Sequence, residues 1–313
     1  MSSVNLIFPG QGSQYVGMGK EQINNPKNAK LISEVNASLG FDLIDIMLNG
    51  PEEKLTLTQY TQPAIVLHSY LLFLEMKEEL SAREINIDTV MGHSVGEYSA
   101  LVAAGSIDIL DAMKAVHLRG KYMQEAVPAG MGKMLAVLKV PQEKIEEGCM
   151  ESSTDLSKVM PANYNAPTQI VVSGHADACD RFSNWMNKNM ESAFRVVPLK
   201  VSAPFHSSLM APAAENLKKY LESVTFNENE IAYIANIDAK KYAPGTTPET
   251  IKDNLISQVE GSVLWTQSFS QLDENQSCFE IGPGKTLMGL GRSINRNIKI
   301  KVTDGPSVSE LFE

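Results

Sequence analysis

Short apolar runs alternate along the chain with longer stretches whose apolar residues recur every three or four positions, which predicts strands and helices taken in turn. "VNLIF" near the N-terminus and "TVMGH" at 89–93 read as strands. "LVAAGSIDILDAMKAVHLRGKYMQEAV" carries apolar residues at helical spacing, and Gly105 and Ser106 divide it into two helices. The most apolar segment, "AIVLHSYLLFLEM", is interrupted by His68 and Ser69 and falls short of the ~20 residues that a membrane span requires. It is predicted to be a buried helix, with Pro63 at its first position. Strands alternating with helices in this way indicate an α/β fold with a parallel sheet.

Around Pro128 the pattern changes. "GKMLAVLKV" reads as a strand, "PQEKIEEGCMES" as a helix, "KVMPANYN" and "TQIVVSG" as strands, "ADACDRFSNWMNKNM" as a helix and "FRVVPLKV" as a strand. That order, β-α-β-β-α-β, is ferredoxin-like. A small domain is therefore expected at 128–200, inserted into a larger hydrolase-like α/β domain formed by 1–127 and 201–313. The tail, "IKIKVTDGPSVSELFE", is short and weakly patterned.

Composition narrows the function classes. The chain has 313 residues, 43% hydrophobic and 20% charged, enough for one or two globular domains. A formal net charge of -10 argues against a broad basic face for nucleic acid or anionic lipid, so an anionic ligand must find a local basic pocket. Cys149, Cys179 and Cys278 are odd in number and widely spaced, without a C-x-x-C pair, so neither a disulfide framework nor a zinc site is expected. The N-terminal "MSSVNLIFPGQGSQ" lacks the basic and long apolar regions of a signal peptide, and a reducing cytosol is the expected compartment.

The chemistry concentrates in "GHSVG" at 92–96, which satisfies G-x-S-x-G. This pattern places a serine on a tight strand-to-helix turn, with its hydroxyl clear of the sheet and beside free helix N–H groups. Ser94 is the candidate nucleophile, and the N–H of Val95 is the first donor for an oxyanion. A serine needs a base, and five histidines are available. His68 and His117 lie among apolar helical neighbours, His175 opens a helix, and His93 should point away from Ser94 because it is the next residue on the strand. His206 follows a strand and a proline on a loop in "VPLKVSAPFHSSLM", which makes it a candidate base. "PGQGSQ" at 9–14 has Tyr15 where a dinucleotide fingerprint needs glycine, and "GPGKTL" at 282–287 has Phe279 where a phosphate loop needs one.

With "FPGQGSQYVGMG", "QYTQPA", "GHSVGEYSAL", "LRGKYMQEAV", "NYNAPTQIVVSG", "SAPFHSSLM" and "EIGPGKTLMGL" in this order, nearly the whole chain resembles the malonyl-CoA:acyl carrier protein transacylase family, the acyltransferases of fatty acid and polyketide synthesis. The resemblance implies a ping-pong transfer of malonyl from coenzyme A to the phosphopantetheine thiol of acyl carrier protein, without metal or other cofactor. It assigns Ser94 as nucleophile, His206 as base, and the N–H groups of Gln11 and Val95 as the oxyanion hole. Arg119 becomes the residue that grips the malonyl carboxylate, a fork geometry that lysine does not reproduce. Gln258 matches the position whose backbone carbonyl steadies the histidine, and is grouped with Arg119 and Phe205 on the substrate side of the site. Phe205, just before the histidine, matches malonyl-selective members, whereas methylmalonyl-accepting ones tend to carry serine. Lys121, Lys188, Arg195 and Lys200 are candidates for a carrier-protein patch, and a monomer is expected.

Three other readings compete. An α/β-hydrolase esterase shares the elbow but calls for an HGGG-like loop and an acid before a late histidine, neither of which is evident here. An idle relative would have lost Ser94, His206 or Arg119. A freestanding polyketide acyltransferase keeps the same chemistry and changes only the carrier protein.

Overall fold

The computed structural model describes residues 3–190, 192–305 and 307–313, so Met1, Ser2, Glu191 and Pro306 lie outside the described residues. The strands run β1 (Ser3–Phe8), β2 (Asn86–Gly92), β3 (Gly132–Leu138), β4 (Val159–Ala166), β5 (Gln169–His175), β6 (Arg195–Pro198), β7 (Ala232–Ile234), β8 (Lys241–Tyr242), β9 (Ser277–Glu280) and β10 (Ile300–Val302). Six form one sheet in the order β10-β9-β1-β2-β7-β8, parallel except for the β7–β8 pair. Four form an antiparallel sheet in the order β4-β5-β3-β6, covered by the helices Gln142–Ser152 and Ala176–Asn189. The predicted α/β class with an inserted ferredoxin-like unit is thus observed.

Register in the large sheet decides what meets at its carboxyl edge. Phe8 pairs with Gly92 and Met91 with Ile234, so β1, β2 and β7 end side by side. The loops that follow carry Gln11, Ser94 and Asn236, three positions far apart in sequence. Open parallel sheets bind ligands at this edge.

Period-two alternation sends the small sheet's side chains two ways. On β3, Leu135 and Val137 join the core beneath the two covering helices, while Met134 joins the main core of the large domain. On β5, Ile170 and Val172 face the helices and Val171 the large domain. One face of the small sheet therefore closes onto the large domain. The segment after Gly261 ties the two together: Val263 N–H donates to Ala162 O at 2.8 Å and Tyr164 N–H to Val263 O at 2.9 Å.

One expectation needs correction. Pro63 does not begin its helix; the helix spans Thr58–Ala82 with Pro63 inside it. A proline removes the hydrogen bond to the carbonyl four residues back, and the Gln59 carbonyl so released accepts from His117 Nδ1 at 2.9 Å. Burial on nearly every side compensates for the interruption. The weakly patterned tail contains the edge strand β10 and a short 3-10 turn, Val308–Phe312. Three paired residues at a sheet edge leave little periodicity to read. No helix among the described residues is long and apolar enough to cross a membrane.

Candidate active site

The strand β2 turns into the helix Gly96–Ala103 through His93, Ser94 and Val95. A Cβ on Gly92 would stand 2.0 Å from the Gly96 carbonyl carbon, and one on Gly96 would stand 2.2 Å from Phe8 O. No side chain fits at either crossing, so the glycines fix the turn. Ser94 has φ +52°, a left-handed conformation that a non-glycine residue keeps only when its surroundings enforce it. Here they do: Ser94 N–H donates to Asn236 Oδ1 at 2.7 Å, Asn236 Nδ2 donates to Gly92 O at 2.7 Å, and Gln258 Nε2 donates to Ser94 O at 3.0 Å.

The Ser94 hydroxyl lies 2.8 Å from His206 Nε2. His206 Nδ1 lies 2.8 Å from Gln258 O and 3.1 Å from Gly261 O. Carbonyls only accept, so Nδ1 carries the proton and Nε2 is free to receive one from the serine. Among the described residues, no carboxylate touches this ring. Burial, reinforced by the Arg119 charge, lowers the imidazole to about 3. His206 is therefore neutral at physiological pH. Its own φ is +55°, so both ends of the hydroxyl–imidazole pair sit on constrained backbone.

Arg119 projects from the helix Ile109–Glu125 and is only 1% exposed, which excludes a solvated helix residue. Its Nη1 donates to Gln62 Oε1 at 2.9 Å, and its Nη2 to Gln258 Oε1 at 2.8 Å and Ser94 Oγ at 3.2 Å. Among the described residues, no carboxylate lies within ion-pair distance of it. Buried charges are ordinarily paired. This one instead helps line a pocket of about 110 Å³ with Ser94, His206, Gln11 and Phe205, so the pocket suits a small acyl group ending in an anion.

The backbone N–H groups of Gln11 and Val95 have no acceptor among the described residues. Gln11 lines the pocket and Val95 follows Ser94, which makes both available to an oxyanion. Phe205 is buried against the pocket beside His206. Gln258, expected on the substrate side, is fully buried and does not line the pocket. Its carbonyl holds His206 and its amide holds Arg119 and the elbow. His93, expected to point away from Ser94, also lines the pocket, held by a 2.7 Å bond from Nε2 to Asn165 Oδ1. The tight turn brings consecutive residues to one cavity, which strict alternation does not anticipate.

Sequence reading gave no role to Gln62, Glu97 or Asn236. Asn236 had a usable signal, a polar residue just past a strand end in a parallel sheet. Glu97 resembles an ordinary first-turn acid, and its burial is a tertiary fact. Lys121, Lys188, Arg195 and Lys200 are all exposed. Lys200 is flanked by the pocket residues Leu199 and Val201, whereas Lys188 lies in the helical layer on the far side of the small sheet.

Residues 6–288 match the acyl transferase domain family. The malonyl CoA-acyl carrier protein transacylase of Bacillus subtilis (strain 168) is 40% identical over 314 residues, covering 99% of this chain and 96% of its own length. The crystal structure of an acyl carrier protein S-malonyltransferase from Vibrio cholerae O1 biovar eltor superposes with a TM-score of 0.90 at 35% identity, covering the whole of both chains. A malonyl-transacylase solved in complex with its type II PKS acyl-carrier protein gives a TM-score of 0.89 at 33% identity, covering 99% of this chain and 98% of its own.

Proposed function

The chain belongs to the acyl transferase domain family, and from that premise we propose that it transfers malonyl from malonyl-CoA to the phosphopantetheine thiol of acyl carrier protein in fatty acid biosynthesis. The observation that carries this reading is the hydroxyl–imidazole–carbonyl line running past a buried arginine that has no carboxylate partner among the described residues. Ser94, giving its proton to His206, attacks the thioester carbonyl. The tetrahedral oxyanion rests on the Gln11 and Val95 N–H groups, coenzyme A leaves with the proton, and the carrier thiol then takes malonyl from the serine ester. Arg119 grips the free carboxylate and Phe205 bounds the space beside the α-carbon. A carboxylate on Arg119 offsets the charge that holds His206 down, so the base strengthens as malonyl seats. The catalytic residues come from the large domain, 1–127 and 201–313, and the small domain, 128–200, closes the pocket. We take the protein to be cytoplasmic and monomeric, with Lys200, flanked by the pocket residues Leu199 and Val201, as the patch residue best placed to meet an acidic carrier protein.

Arg119→Ala is expected to damage malonyl transfer selectively. A hydrogen bond to a charged group contributes roughly 1.5–3 kcal/mol, so losing a bidentate contact should lower kcat/KM for malonyl-CoA at least about tenfold relative to acetyl-CoA. Equal loss with both donors in steady-state assays would make Arg119 structural.

Phe205→Ser is expected to narrow the malonyl-to-methylmalonyl ratio of kcat/KM, chiefly by improving methylmalonyl transfer. Crowding an extra methyl into a packed site costs ~1–3 kcal/mol, and a hydrophobic pocket discriminates one such group by about 10–200-fold. An unchanged ratio would remove Phe205 from the selectivity wall.

Transfer assays with holo acyl carrier proteins of fatty acid and polyketide origin test the pathway. Faster loading of the fatty acid carrier is expected. Exclusive loading of the polyketide carrier would move the enzyme to that pathway, for which the structural likeness to the type II PKS transacylase leaves room.

A further inference from the structure

One carboxylate beneath the elbow has no part in the chemistry above. Glu97, in the first turn of the helix Gly96–Ala103, is fully buried. Its Oε2 accepts from the Asn236 N–H at 3.1 Å and from Gln258 Nε2 at 2.6 Å, while its Oε1 has no partner among the described residues. The two residues it holds are the two that hold Ser94, through Asn236 Oδ1 on the serine N–H and Gln258 Nε2 on the serine carbonyl. The Gln258 amide also spans two charges, its NH₂ on Glu97 and its oxygen on Arg119 at 2.8 Å. Guanidinium and carboxylate therefore meet through a single polarised amide instead of a direct ion pair.

We infer that Glu97 is a positioning residue and the internal counter-charge of Arg119: through Asn236 and Gln258 it fixes the serine and the guanidinium, and it competes with an incoming acyl carboxylate for the guanidinium's charge. The inference rests on the reading that malonyl seats on Arg119. The titratable and charged groups facing Glu97 are Arg119 from the helix Ile109–Glu125, Tyr98 beside it, Tyr233 on β7, Asp238 in the turn beyond, and Tyr242 on β8. Burial outweighs the stabilising bonds from Gln258 and Asn236 and the Arg119 charge, and carries the Glu97 carboxyl up to about 7. An anion that occupies Arg119 takes from Glu97 the cation that faces it, so malonyl seats best when Glu97 is protonated. Its affinity then falls as pH rises through about 7. Acetyl, with no carboxylate, escapes this competition.

Single-turnover acylation of Ser94 by malonyl-CoA and acetyl-CoA, titrated in substrate between about pH 6 and 8.5, separates these roles. In the wild type, the apparent dissociation constant for malonyl-CoA should rise several-fold across that range relative to acetyl-CoA. Glu97→Gln retains an oxygen acceptor for both bonds and loses the charge, so that rise should flatten while the acylation rate stays within a few-fold. Glu97→Ala removes the acceptor, and the loosened elbow should slow acylation by both donors about ten- to a hundred-fold. A malonyl pH dependence unchanged in Glu97→Gln would overturn the inference, as would a glutamine variant as damaged as the alanine one with both donors. Either result leaves the proposed function standing; a wild type that takes no malonyl onto Ser94 would overturn both.

Discussion

His206→Ala is expected to slow acylation of Ser94 by about 10²–10⁴-fold, the usual contribution of a positioned general base. The imidazole is the proton acceptor that touches the serine hydroxyl, at 2.8 Å, and two carbonyls behind it fix its tautomer. No neighbouring carboxylate or second imidazole among the described residues contacts that hydroxyl to substitute. Arg119 does touch it, as a donor, and cannot take the proton. The same environment sets the pH response. Burial and the Arg119 charge hold His206 at about 3, well below the ordinary histidine value, so its basic form persists as pH falls from neutrality. An ordinary histidine would cost about tenfold in rate by about pH 5.5. The wild-type kcat/KM for acylation by acetyl-CoA is instead expected to stay flat down to about pH 5. Rapid-quench acylation across pH measures both, and an alanine variant within a few-fold of wild type would remove His206 from the reaction.

Ser94→Ala is expected to abolish transfer, with a loss on the order of 10⁴–10⁶-fold, as when a covalent nucleophile is removed from an otherwise complete site. What remains is a pocket that binds and polarises the thioester without a group to receive the acyl chain. The fold should tolerate the change, because Asn236 and Gln258 clamp Ser94 through backbone N–H and C=O groups that alanine retains. Unchanged thermal unfolding with lost transfer is the expected pair of results. Substantial transfer by a well-folded Ser94→Ala enzyme would place the acyl intermediate elsewhere.

Legibility from sequence followed the range of the interactions involved. The elbow was readable because its constraint is local: two glycines forced by backbone crossings within five residues of each other. The small domain was readable because its strands and helices keep their periods through short loops. His206 was only shortlisted, since its partnership with Ser94 joins positions 112 apart in the chain. The role of Arg119 was invisible to residue reading and came only with the resemblance, because a helix pattern does not show that a charged position faces a cavity. Gln62 and Glu97 lie inside blocks that carry the resemblance, yet nothing local names their roles, and Asn236 offers only its place just past a strand end. Their roles come from tertiary contacts among the helix Thr58–Ala82, the elbow helix and the loop after β7, which neighbouring residues do not encode. Pro63 failed as a helix start for a related reason, since His117 on another helix occupies the carbonyl that the proline released.

Intact-mass measurement after brief mixing with malonyl-CoA, followed by peptide mapping, tests the serine-centred mechanism most directly. A single malonyl adduct on Ser94, absent from Ser94→Ala and discharged on adding holo acyl carrier protein, is the predicted result. An adduct that persists in Ser94→Ala, or full transfer without any covalent intermediate in the wild type, would contradict it.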